Sequence, residues 1–362
     1  MQWRAAVSLR ILSLRLEPRA RVPVAIALAS PVAAVAFTLL VCAGLIIWAG
    51  APVGRAYWLL FDSAFGSRFA VGETLTRATP LILTGLSAAV AFRARFYNIG
   101  AEGQLYLGAL AAVAVGGSSI ALPAALLLPL MIAAGMAAGA LLLLLPALAK
   151  TRLGVDEVVT TLLLNFIALL FVSMMLDGPM KDPTAMGWPQ SVPIRPELEF
   201  GKLLERSRVH AGLLMAVVIA VALWILNART TFGYEMRAVG ANARAARFAG
   251  ISVDAVMLKT ALLSGALAGL AGVGEVAGRA GYLTLDMSPG YGYSGIVIAM
   301  LAGLNPLGVL LAALFVAGLI VGADSMSRAV GVPTYLADVI VAVSLLSMLV
   351  AAMFARYKVR WS

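Results

Sequence analysis

Apolar residues come in long runs broken by short polar connectors, at 24–49, 75–92, 98–116, 121–148, 155–176, 210–227, 253–277, 291–304, 306–323 and 334–355. About 20 apolar residues cross a bilayer as a helix, and only helices or closed barrels satisfy their own backbone in hydrocarbon. The runs therefore predict an all-α integral membrane protein of about ten transmembrane helices, with 291–304 short enough to be a broken or half helix. No low-complexity tract interrupts them, so the pattern predicts one transmembrane domain over 24–355, between a basic segment 1–23 and a tail 356–362. The run from Val24 is longer than a signal-peptide core of roughly 7–15 residues and reads as a retained span.

Composition agrees: 62% of residues are hydrophobic, 12% are charged, and the mean hydropathy is +0.97. One Cys and one His exclude a disulfide framework or a multi-His/Cys metal site. The net charge of +10 lies between the apolar runs, where topology signals and anionic lipid explain it, so nucleic acid is not a partner. Alternating connectors place sixteen Lys and Arg on one side and nine on the other, or four once the long segment 177–209 is left out. Positive charge collects on the cytoplasmic side, so both termini are expected there. The Pro-rich segment 177–209 then lies outside and reads as an ordered or partly helical loop or, more simply, as a solvated connector.

Polar intrusions carry the candidate chemistry. In Tyr97-Asn98-Ile99-Gly100-Ala101-Glu102-Gly103-Gln104 an acid, two amides and two glycines open an apolar run. If helical, it puts Asn98, Glu102 and Tyr106 on one face and Gly100, Gln104 and Gly108 on the other. Two roles stand for Glu102: contact with a polar solute, or a bond to a neighbouring helix end. In the next intrusion Asp156 and Glu157 suit a helix start. Glu157, Thr161 and Asn165 then repeat at four-residue spacing, and Asn165 is placed for solute contact or a buried interhelical bond. Tyr291 and Tyr293, among the glycines that open the short run, are candidates for the edge of a pathway.

The connector 228–252 is rich in Ala and Arg and is bounded by glycines, with Arg237, Arg244 and Arg247 on one helical side. It suits docking to a protein surface or lying on anionic headgroups, and the glycines and Asn242 favour a protein. Ser264-Gly265 through Gly272 spaces small residues for close helix contact. Glu275 and Arg279 stand at pairing distance. His210 has no triad partner in its motif, and Cys42 reads as a small hydrophobe. The phosphate loop GxxxxGK[ST] is absent, as are HExxH and GxSxG, so no enzymatic chemistry is expected of this chain.

Four stretches taken together resemble permease subunits of ABC importers for nucleosides and simple sugars, in the superfamily of branched-chain amino acid permeases. YNIGAEGQ is similar to that family's FNIGxEGQ, and GVDEVVTTLLLNFIA to its NEVxTTxMLNYIA. GYEMRAVGANARAARFAGI resembles its cytoplasmic coupling segment, and GYGYSGIVIAMLAGLNPLG its late glycine-rich segment. The resemblance implies a translocation path for a nucleoside or a ribose-like sugar, with Asn98, Glu102, Asn165, Tyr291 and Tyr293 as its candidate lining. It implies a cytoplasmic ATP-binding subunit that carries the ATP, so that this chain holds no cofactor of its own. A second, different permease and an extracytoplasmic solute-binding lipoprotein complete the assembly in the cell's inner or plasma membrane. The coupling role carries over to Gly233, Arg237, Gly240, Asn242, Arg244, Ala246 and Gly250. A stand-alone secondary carrier is the alternative, and it would need an ion-coupling acid from among Glu102, Glu275 and Asp338.

Overall fold

The computed structural model describes residues 14–19, 23–203 and 207–361. Most of the basic segment 1–23 and the last residue of the tail lie outside the described residues.

Every apolar run becomes a helix. In chain order these are α1 (Val24–Trp48), α2 (Val53–Phe65), α3 (Arg68–Arg93), α4 (Ala101–Gly116), α5 (Ala124–Leu148), α6 (Glu157–Asp177), α7 (Ala211–Arg229), α8 (Thr231–Ala241), α9 (Ala243–Phe248), α10 (Val253–Glu275), α11 (Tyr291–Leu301), α12 (Pro306–Val330) and α13 (Thr334–Arg356). Among the described residues seven helical segments are long and apolar enough to cross a membrane, or eight if α1 and α2 count as one bent span. The apolar helices α4 and α11 are shorter than a span.

Two expectations about element boundaries are corrected. The connector 50–74 contains α2, hidden from a hydropathy reading by its length and by Arg55 and Asp62. The run 98–116 turns helical only at Ala101, because Tyr97 to Ile99 are irregular, with the Asn98 N–H donating back to the Phe96 carbonyl at 3.2 Å. The chain ends add a small departure from an all-helical plan: strand β1 (Leu14–Pro18) pairs antiparallel with β2 (Tyr357–Trp361).

The helices gather into two compact units. One comprises the chain up to Leu60 and from Gly322 onward, and its core joins Cys42, Ile46, Ala56, Met326, Leu336 and Ile340. The other, Phe61–Val321, is built around α10, which packs against α3, α4 and α5. Side chains there are too large for the spacing, so glycines meet backbone to backbone: a Cβ on Gly265 or Gly269 would overlap α5 at Gly139 or Gly135. A Cβ on Gly108 of α4 would overlap Gly269, and one on Gly272 would overlap Leu105. The small-residue spacing of the sequence thus becomes close helix packing.

The segment 177–209 is more than a solvated connector. Its backbone runs along 277–283, where the Ser191, Ile194 and Phe200 amides donate to Leu283, Gly281 and Ala277 at 3.0, 2.8 and 2.7 Å. Thr184 donates its hydroxyl and its N–H to Asp182, which holds that carboxyl below its usual value.

Candidate functional site

The irregular residues between α3 and α4 leave backbone groups without helical partners inside an apolar bundle, where an unmet amide costs several kcal/mol. The four-residue stripe on α6 meets them in order. Glu157 accepts from the Tyr97 N–H at 3.2 Å, and the Thr161 hydroxyl oxygen accepts from the Ile99 N–H at 3.2 Å. Asn165 donates to the Ile99 carbonyl at 2.8 Å and accepts from the Gly103 N–H at 2.8 Å. Gly103 lies in the first turn of α4, so Asn165 supplies from another helix the cap that α4 lacks on its own. Lys150 pairs with Glu157 from the end of α5, where a π-type turn closes at left-handed Gly154 (φ +70°).

Glu102 performs the matching task for α11. Its carboxylate accepts from the Gly292 N–H at 2.6 Å, and Ser288 accepts from the Tyr291 N–H at 2.9 Å, so the first two donors of α11 are met. A carboxylate at this end also opposes the positive pole of the helix. Gly292 sits against the Glu102 backbone, where any Cβ would overlap, so the starts of α4 and α11 abut. Tyr106 holds the same approach from one turn on, donating to the Leu285 carbonyl at 2.6 Å. Arg279 donates to the Met287 carbonyl at 3.1 Å and pairs with Glu275 at 2.9 Å, as the four-residue spacing suggests.

The two faces drawn for the YNIGAEGQ stretch are corrected. Asn98 is outside the helix, and it turns back onto Gln104 with two bonds of 2.9 Å instead of lying opposite it. It also donates to Ser264 at 3.1 Å, which is bonded in turn to Ser87. Helical phase cannot be extended through residues that are not helical. Asn98, Glu102, Asn165 and Tyr291 are all buried, whereas Tyr293 is 38% exposed and its hydroxyl meets Asn165 at 3.3 Å. Tyr293 is thus the one partly exposed member of the five.

The docking candidates divide likewise. Thr230 caps α8 and Asn242 caps α9, so the segment is two short helices and not one, with Arg237, Arg244 and Arg247 all exposed. Gly233, Gly240 and Ala246 are buried in the chain, with Gly233 seated on Asn227 and Gly240 on the Arg93 carbonyl. Arg237 donates to the Asn227 carbonyl. Asn242, Arg244 and Gly250 are exposed, as are Arg247, Tyr234 (61%) and Phe248 (96%). Phe248 was not among the sequence candidates. Its signal was an aromatic ring at the end of an Ala/Arg helix.

His210 caps α7 from outside the span that begins at Ala211, accepting from the Gly212 N–H at 3.2 Å. Burial, with Arg279 nearby, pushes its imidazole down to about 4. It is therefore neutral at physiological pH and structural.

Residues 70–352 match the family model described as "Branched-chain amino acid transport system / permease component". The chain is 39% identical to the glucose ABC transporter permease protein TsgB13 of Haloferax volcanii, over 96% of this chain and 93% of the relative. It is 37% identical to the guanosine ABC transporter permease protein NupP of Bacillus subtilis, over 87% and 91%. It is 34% identical to the nucleoside ABC transporter permease protein NupB of Lactococcus lactis, over 86% and 88%.

Proposed function

We infer the function of this chain from a plain premise: it belongs to the family of branched-chain amino acid transport system permease components. It is a multi-pass membrane permease of an ABC importer for a nucleoside or a simple sugar. A separate ATP-binding subunit supplies the energy, a second permease completes the pore, and an extracytoplasmic lipoprotein delivers the solute. Both termini and the α8–α9 segment face the cytoplasm, following the Lys and Arg distribution.

The observation that carries the coupling role is the construction of α8–α9. Buried Gly233 and Gly240 fix it to the chain's own backbone, while Tyr234, Arg244, Arg247 and Phe248 point outward. A rigid base under an aromatic and basic face suits a protein surface with an apolar pocket and an acidic rim. The path side, by contrast, offers the partly exposed Tyr293 phenol, with Asn165 buried behind it and Glu102 engaged at the start of α11. Neutral donors and acceptors suit a hydroxylated, uncharged solute.

Affinity purification of the tagged permease from its native membranes tests the coupling surface. The ATPase is expected to co-purify, and Phe248→Ala combined with Arg244→Glu lowers its recovery by about tenfold, an ordinary loss for a hot spot. Recovery equal to wild type in the double variant would contradict this docking surface.

A further inference from the structure

Arg93 was counted in the sequence only as a topology charge at the end of a span. In the structure it touches two elements that are far apart in the chain. Its carbonyl is the seat of Gly240, so close that any Cβ on α8 would overlap it. Its guanidinium Nη2 donates to the Leu304 carbonyl at 2.6 Å, just past the end of α11. Leu304 is a non-glycine residue in the left-handed region, with φ +61°, and its own N–H closes α11 by donating to Ala299. The far end of α11 is the one capped by Glu102, beside the Asn165–Tyr293 pair.

We propose that Arg93 is the strut that transmits movement of the α8–α9 segment to α11, acting as a positioning residue for transport. The proposal rests on the reading that α8–α9 docks the ATPase. On one side of Arg93 the contact is backbone on backbone, with no side chain to yield. On the other it is a charge-assisted bond to a carbonyl at a helix C-terminus, where the dipole favours a cation. Between them the chain is held in a packed apolar cluster that includes Phe92, Phe96, Ile296 and Leu304. A displacement of α8 therefore moves the end of α3, and Arg93 carries it to the closing turn of α11. The left-handed Leu304 gives that turn a strained conformation to move from. Spatial contiguity alone does not demonstrate coupling, so the test has to read a response at one end to a change at the other.

The first measurement uses the permease alone in nanodiscs. Arg93→Met keeps an apolar stem and removes the donor, and amide exchange over 299–305 is expected to quicken by about fivefold or more while exchange in α10 stays slow. Unchanged exchange at 299–305 would overturn the strut, whether or not an ATPase docks. The second measurement uses vesicles carrying the whole importer, where solute taken up per ATP hydrolysed is expected to fall about fivefold in Arg93→Met, at the low end of ordinary coupling between sites. ATPase recovery is expected to match wild type. Arg93→Lys, which keeps charge and stem, restores part of the yield and guards against a folding defect. Wild-type yield in Arg93→Met would overturn the transmission role. If instead the wild-type permease recovers no ATPase, the docking reading falls and the transmission role with it, while the exchange result still decides whether Arg93 holds α11.

Discussion

Asn165 serves two backbone groups with one amide, so Asn165→Ala strands the Gly103 N–H and the Ile99 carbonyl together. Each stranded buried group costs about 1–3 kcal/mol. Thermal unfolding in detergent should show this loss, and a melting temperature equal to wild type would remove Asn165 from the role of cap. Glu102→Gln keeps an acceptor for Gly292 and should unfold close to wild type, whereas Glu102→Ala should unfold well below it. His210 gives a pH dependence. Its folded value of about 4 lies below the usual 6.5, so the unfolded chain binds the extra proton between the two. Stability contributed by neutral His210 is full above about pH 6.5 and is lost as pH falls toward 4. His210→Asn, which keeps a cap for α7, should flatten a melting-temperature profile over that window. At this scale the sequence disclosed which polar residues interrupt the apolar runs, and not their partners. Spacing disclosed the stripe of Glu157, Thr161 and Asn165, but the irregular Tyr97–Ile99 backbone it serves has no periodicity to read. Glu102 was left between solute and helix end, and the structure places it on the start of α11.

Helix α10 shows how far glycine spacing specifies packing. Gly269→Ala would drive a methyl into the α5 backbone at Gly135, with no flexible side chain to move aside. Gly274→Ala, in the same helix, meets nothing within 4 Å and should gain roughly 0.5–1 kcal/mol of helix propensity. Expression level and thermal unfolding of the two variants should therefore move in opposite directions, and equal behaviour would mean that α10 is not packed by backbone contact. The ten apolar runs were legible as helices because the lipid requirement writes composition directly into the chain. Helix α2 was not, because it is short and carries two charges. Asn242 was legible as a residue suited to a defined turn, and the structure puts the break between α8 and α9 there, with Asn242 capping α9.

For the molecule as a whole, membership of a permease family goes with a bundle in which two short apolar helices meet at their starts. An exposed segment is seated through Gly233 on the end of α7 and through Gly240 on the end of α3. The sequence supplied the class through four motifs in order, while the assembly of the path depended on pairs as distant as Glu102 with Gly292 and Arg93 with Leu304. Those pairs separate an ATP-driven importer from a carrier only through what they do together. The direct measurement is uptake of two labelled solutes, the best-bound member of a panel of nucleosides and the best-bound member of a panel of simple sugars, into vesicles that contain the permease with its co-purified subunits and the solute-binding protein. One of the two solutes is expected to accumulate above its external concentration, with ATP present on the ATPase side and not without it. Equilibration to the external concentration at a rate indifferent to ATP would contradict the importer and leave a carrier or channel in its place.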